Sequence, residues 1–155
     1  MARNSTRIDA TPEQVFDVLD DACAYPSWVV GTRRVRGVDP DWPAVGSRFH
    51  HAIGNFVAEL HDSSMVLDRR RPELMELEVR FRPTGVAWVR IAVERAGSGS
   101  VVVFEERPRS GPFSRIPRFA TDPVLTARNA LSLRRLRRVV ERRAASSPSK
   151  AAAKS

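Results

Sequence analysis

Lysine is almost absent from this 155-residue chain: of its 26 basic residues only Lys150 and Lys154 are lysines, and both fall in the last six positions. Arginine therefore carries nearly all of a formal charge of +8. A GC-rich coding sequence also produces such a bias. The charge alone is thus weak support for a polyanionic partner, and nucleic acid is not expected as one. Cysteine is scarcer still. Cys23 stands alone, which excludes an internal disulfide and agrees with a reducing compartment. No neighbouring base suggests an activated nucleophile, so Cys23 reads as a buried structural thiol.

No apolar run approaches the roughly 18 residues of a membrane span, and the opening "MARNSTRIDATPEQ" lacks the apolar core of a signal peptide. The expectation is a cytoplasmic protein with no membrane span. There is no HExxH, no cysteine cluster and no glycine-rich turn from strand to helix; "GSGS" at 97–100 is a hairpin connection. His50 and His51, being adjacent on a strand, diverge, so they do not build a site with His61. Neither a metal nor a cofactor is expected.

What is present is enough apolar sequence, 42% of residues, for one real core. Residues 1–143 read as a single domain and residues 144–155 as a disordered basic tail. Nothing in the pattern assigns an oligomeric state. Residues 4–9 suit a short strand. Thr11, Pro12 and Gln14 then open a short helix with a hydroxyl cap, a proline at the first position and a capping-box glutamine; it ends near Asp21. "ACAYPSWVVG" holds a second helical turn.

From Gly31 to Arg109, strand-length runs alternate with turn residues at 39–46, 69–73, 82–85 and 96–100, the pattern of antiparallel hairpins. Met75, Leu77, Val79 and Phe81 share one face of a strand; Ala87, Val89, Ile91 and Val93 share one face of the next. A sheet with one dry face needs a cover. After a loop at 107–121, Asp122 and Pro123 read as the cap and first residue of a helix running to about Arg143. Leu125, Asn129, Leu133, Leu136 and Val140 form its apolar stripe, with the arginines mostly on its solvated back.

One strand, two short helices, about six antiparallel strands and a long terminal helix follow the order of the helix-grip fold. The segments "IDATPEQVFDVLDDACAYPSWVVG", "GSRFHH", "GSVVVFEE" and "RNALSLRRL" resemble the START-like superfamily, in particular its bacterial polyketide cyclase/dehydrase branch, over residues 3–143. The resemblance implies an α+β helix-grip domain: a curved antiparallel sheet of about seven strands wraps the last helix and leaves a cavity for a hydrophobic or aromatic small molecule. It gives a pocket, not a reaction.

On that frame the ligand-binding candidates are Trp28, Phe49, His51, Ile53, Val79, Phe81, Val89, Ile91, Phe104, Leu125, Asn129 and Leu133. Trp28 suits packing of the second short helix, with cavity lining as the other reading. Phe49, His51 and Ile53 share one strand face, so His51 is the catalytic candidate, an imidazole tuned near pH 7 with little help, or else a hydrogen-bonded core histidine. Glu106 shares the side of Phe104 and Val102. It is either a carboxyl of raised pKa, or a partner for His51, or the solvated end of a strand whose facing the sequence leaves open. Asn129 either orients a ligand or bonds sheet backbone. Arg128, at the edge of the stripe, either reaches a pocket carboxylate or lies on the surface.

The activity these residues imply is binding of a small hydrophobic or aromatic ligand, with cyclase/dehydrase chemistry by folding a flexible poly-carbonyl chain and moving one or two protons. A non-catalytic carrier or sensor of lipid or isoprenoid-like molecules needs only the apolar cavity. A third reading uses the arginine-rich helix back and the lysine tail as an electrostatic contact with nucleic acid or anionic lipid.

Overall fold

The structure, a computed structural model, describes residues 2–54, 57–81, 83 and 85–147. Its elements are β1 (Ala2–Ile8), α1 (Pro12–Leu19), a 3₁₀ turn (Ala22–Ala24), α2 (Tyr25–Trp28), β2 (Thr32–Val38), β3 (Arg48–Gly54), β4 (Glu59–Arg70), β5 (Leu74–Phe81), β6 (Gly85–Ala96), β7 (Gly99–Ser110), α3 (Pro112–Arg115) and α4 (Arg118–Ser146). The strands form one antiparallel sheet in the order β1-β7-β6-β5-β4-β3-β2. Helices and sheet together make the α+β helix-grip fold.

The start of α1 is set locally. Thr11 Oγ1 accepts from the Gln14 amide at 3.2 Å and the Gln14 side chain accepts from the Thr11 amide at 2.9 Å, a closed capping box. The helix buries Pro12, Val15, Phe16, Val18 and Leu19 and stops at Leu19, slightly short of the expected end near Asp21. Cys23 departs from expectation, because it is exposed. The tight 3₁₀ turn points Ala22 and Ala24 into the core and leaves the residue between them outside.

The facing of β7 is set by its pairing with β6. Phe104 stands opposite Ile91 and Val102 opposite Val93, and Val102, Phe104 and Glu106 are all buried. On β5 the inward residues open progressively. Met75 is 0% exposed and Leu77 2%, while Val79 and Phe81 are only half-buried. The space between sheet and helices is therefore solid at the end filled by Phe16, Leu19 and Met75. It loosens toward the C-terminal ends of β3, β5 and β7.

The terminal helix starts earlier than expected. α3 and the first turn of α4 occupy the segment read as a loop, and Pro123 lies inside α4 rather than opening it. Pro117 precedes the first turn, its carbonyl accepting from Ala120 and Thr121. Pro123 deletes only one backbone bond, in a turn where the flanking Val124 and Phe119 face solvent, so the helix tolerates it. At its other end α4 continues to Ser146, past Arg143, with Ala144 against the core. Of the expected tail, residues 148–155 lie outside the described residues. α4 packs chiefly along β1, where Asn4 Nδ2 donates to the Thr126 carbonyl at 3.1 Å.

Candidate functional site

β3, β4, β5, β6 and β7 each send inward side chains to one small cavity, closed on the other side by α2 and α4. Of the twelve ligand-binding candidates, Trp28, Phe49, His51, Val79, Phe81, Val89, Ile91 and Phe104 stand on its wall, and Glu106 joins them. Ile53, Leu125, Asn129 and Leu133 do not. Ile53 is half-buried near the end of β3, off the wall, while Ala52 before it is buried. Leu133 is core at 2% exposure, and Leu125, two turns earlier on the helix, is half-buried. Asn129 is buried at 1% exposure, with its Nδ2 unpartnered, away from the hollow.

The helix presents its neighbouring flank instead. Arg128 Nη1 donates to both oxygens of Glu106 at 3.2 Å, and its Nε donates to the Val30 carbonyl at 3.2 Å. One turn later Ser132 Oγ accepts from the Val30 amide at 3.1 Å. Arg128 and Ser132 thus grip both polar groups of one residue in the α2–β2 link. The guanidinium also lies 5.8 Å from the centre of the Phe81 ring, at the loosely packed end. Glu106 has Arg128 as its hydrogen-bond partner and His51 has Ser64, so the two line one cavity without bonding each other.

His51 is 2% exposed, and its Nε2 lies 3.1 Å from Ser64 Oγ. Burial lowers its pKa to about 4, against the opposing pull of Asp62 and with a smaller push from His50, so the ring is neutral at pH 7. Its Nδ1 is buried with no hydrogen-bond partner, and so is Nε1 of Trp28. Tyr25 completes the aromatic wall, with centroids 5.0 Å from Trp28 and 4.7 Å from Phe49. Its hydroxyl donates to the Leu19 carbonyl at 2.9 Å, and burial with nearby Asp20 and Asp21 holds the phenol protonated.

The cavity volume is about 40 Å³, room for water-sized occupants and far below the roughly 300 Å³ of an ordinary ligand pocket. The hollow is smaller than the resemblance implies, because Trp28, Tyr25 and Phe49 fill one side and the Arg128–Glu106 pair caps another. Ser64, Val29 and Thr32 also line it and were not singled out from sequence, and Tyr25 and Leu77 line it without having been among the binding candidates. Leu77 carried a signal, since it sits on the same alternating face as Val79. His50 and His61 lie outside, near Asp39 at 3.9 Å and Glu59 at 3.1 Å respectively. Among the described residues no three metal-ligating side chains converge, and no helix is long and apolar enough to cross a membrane.

The family model described as polyketide cyclase/dehydrase and lipid transport matches residues 2–141. No curated protein matches the chain in sequence. Among solved structures, protein NE0264 of Nitrosomonas europaea is similar with a TM-score of 0.72 at 14% identity, covering 92% of this chain and 95% of that one. Protein CV1439 of Chromobacterium violaceum gives 0.69 at 18%, covering 90% and 96%. The di-domain ARO/CYC StfQ from the steffimycin biosynthetic pathway gives 0.71 at 12%, covering 92% of this chain and 51% of StfQ. At these identities the likeness is one of fold.

Proposed function

The chain belongs to the polyketide cyclase/dehydrase and lipid-transport family, and from that premise we propose that its cavity binds one neutral, largely apolar or aromatic molecule bearing a hydrogen-bonding oxygen. The observation that carries this reading is the pair of buried, unpartnered nitrogens, Trp28 Nε1 and His51 Nδ1, on two residues that line the same cavity, one from α2 and one from β3. An unsatisfied buried polar group costs about 1–3 kcal/mol. With Ser64 donating to His51 Nε2, both nitrogens carry protons, and a ketone or phenol oxygen of the ligand accepts from them. Charge selection is built into the same wall: Glu106 and Arg128 neutralise each other and His51 is uncharged at pH 7, so nothing there rewards a net ionic ligand.

Admission of such a molecule enlarges the resting hollow, with Arg128 and Phe81 as the side chains to be displaced. The first reading is accordingly a binding protein, a carrier or sensor in the cytoplasm. Cyclase/dehydrase chemistry is the second reading, favoured by the His51–Ser64 pair, which places an imidazole inside an apolar site. Its low pKa makes His51 a weak base, so turnover would come mainly from holding a poly-carbonyl chain in a reactive shape.

The test is calorimetric titration with a neutral polycyclic aromatic ketone and with a saturated hydrocarbon of similar size, using wild type, Trp28→Phe and His51→Phe. The reading expects the ketone to bind more tightly, and each variant to erase roughly tenfold of that preference, about the worth of one hydrogen bond to a buried donor. Equal affinity for both molecules, or a preference untouched by either variant, would overturn it.

A further inference from the structure

Residues 112–120 are exposed without interruption, yet they include Phe113, Ile116 and Phe119 at 47, 41 and 82% exposure. Val124, at 68%, extends the apolar character beyond Phe119 along α4. The same stretch is strongly basic. Arg107 and Arg109 end β7, Arg115 and Arg118 follow, and no acidic residue occurs between Glu106 and Asp122. Arg107, Phe113, Ile116 and Arg118 line one hollow of about 80 Å³, together with Thr121 and Asp122. Phe113 and Ile116 therefore lie beside Arg107 and Arg118 in space as well as in sequence.

Single exposed apolar residues are ordinary, but three large ones within seven positions, with Arg115 and Arg118 between them and Arg107 and Arg109 just before, are not. A soluble protein partner is met by an apolar centre with a separate polar rim. Interleaved aromatic and basic side chains instead match the boundary of an anionic bilayer, where guanidinium groups reach lipid phosphates while rings enter the acyl edge. The location fits as well. This segment links the C-terminal end of β7 to the start of α4, the end at which Val79 and Phe81 loosen and Arg128 caps the cavity. We infer that residues 107–120 are an interfacial docking segment for an anionic phospholipid surface. The inference rests on exposure and charge at this surface and stands whether or not the ligand reading above is correct.

The experiment is sedimentation of the full chain with vesicles of equal parts phosphatidylglycerol and phosphatidylcholine, and with vesicles of phosphatidylcholine alone. Wild type is expected to bind the anionic vesicles, less so as salt rises, and not the neutral ones. Phe113→Ser/Phe119→Ser keeps every charge, and both side chains are exposed, so the fold is retained. Its partitioning should fall on the order of tenfold or more. Arg115→Gln/Arg118→Gln should lose roughly fivefold per arginine. Absence of binding to anionic vesicles would overturn the proposal. So would binding unchanged by the double phenylalanine variant, since that would assign the contact to charge elsewhere on α4 or in the tail. Equal binding to soluble polyglutamate would do the same, indicating an acidic protein partner.

Discussion

Arg128 holds the carboxylate of Glu106 at the rim of the cavity, with both oxygens 3.2 Å from a single Nη1. The pair is asymmetric: the Glu106 side chain is 2% exposed and that of Arg128 27%. Only the carboxylate depends wholly on its partner for compensation of lost hydration. That asymmetry decides what each substitution does.

Arg128→Met strands a buried charge and should lower the unfolding free energy by about 3 kcal/mol, while Arg128→Met/Glu106→Met should recover most of that loss. Urea unfolding of wild type, the single variant and the double variant measures it. A double variant as unstable as the single one would show that the pair does not act as a unit.

His51 ties stability to pH. Its pKa in the fold is about 4, below the ordinary 6.5, so between those values the unfolded chain binds the extra proton. Stability from this group is complete above about pH 6.5 and is lost as pH falls toward 4, up to about 3 kcal/mol across the window. Below pH 4 it contributes no further slope. Urea midpoints collected from pH 4 to 7 should fall less steeply with acidification in His51→Gln than in wild type. Parallel profiles would contradict the buried neutral imidazole.

Much of this arrangement was legible in the residues. The alternation from Met75 to Phe81 and from Ala87 to Val93 marked the inner sheet face, because a half-buried strand must alternate. Thr11 and Gln14 marked α1, because capping is a local interaction. What was not legible depends on long-range placement. The stripe of α4 was read correctly as its buried side, but the helix packs chiefly along β1, so the stripe's centre at Asn129 lies off the cavity and Arg128 on the neighbouring flank meets it. Pro123 was a strong local signal for a helix start, yet an exposed helix end absorbs a missing amide at little cost. The facing of β7 needed its partner strand, since Val101 to Glu106 has apolar residues on both sides.

Asn129 distinguishes a ligand contact from a structural polar residue. It is buried, its Nδ2 lacks a partner, and it lies off the cavity wall. Asn129→Leu, close in size, removes an unsatisfied donor and should stabilise the fold by about 1 kcal/mol while leaving ligand affinity unchanged. Thermal unfolding and calorimetric titration of the same variant check both statements. A loss of affinity with unchanged stability would return Asn129 to the binding site.

Entry into a hollow of about 40 Å³ requires a more open state, and Phe81 is the side chain whose removal should reveal it. Its ring is half-buried at the loose end of β5 and lies 5.8 Å from the Arg128 guanidinium. A contact of this kind, partly solvated, is worth about 1 kcal/mol. Phe81→Ala removes it and also clears volume at the rim. If the closed state limits binding, apparent affinity for an aromatic ketone is reduced by the small fraction of open molecules, so the variant should bind roughly fivefold more tightly and associate faster. Stopped-flow quenching of tryptophan fluorescence gives both quantities. Slower association, or weaker binding with an unchanged rate, would mean that Phe81 is a wall the ligand needs rather than part of the door, and that molecules enter elsewhere along the sheet.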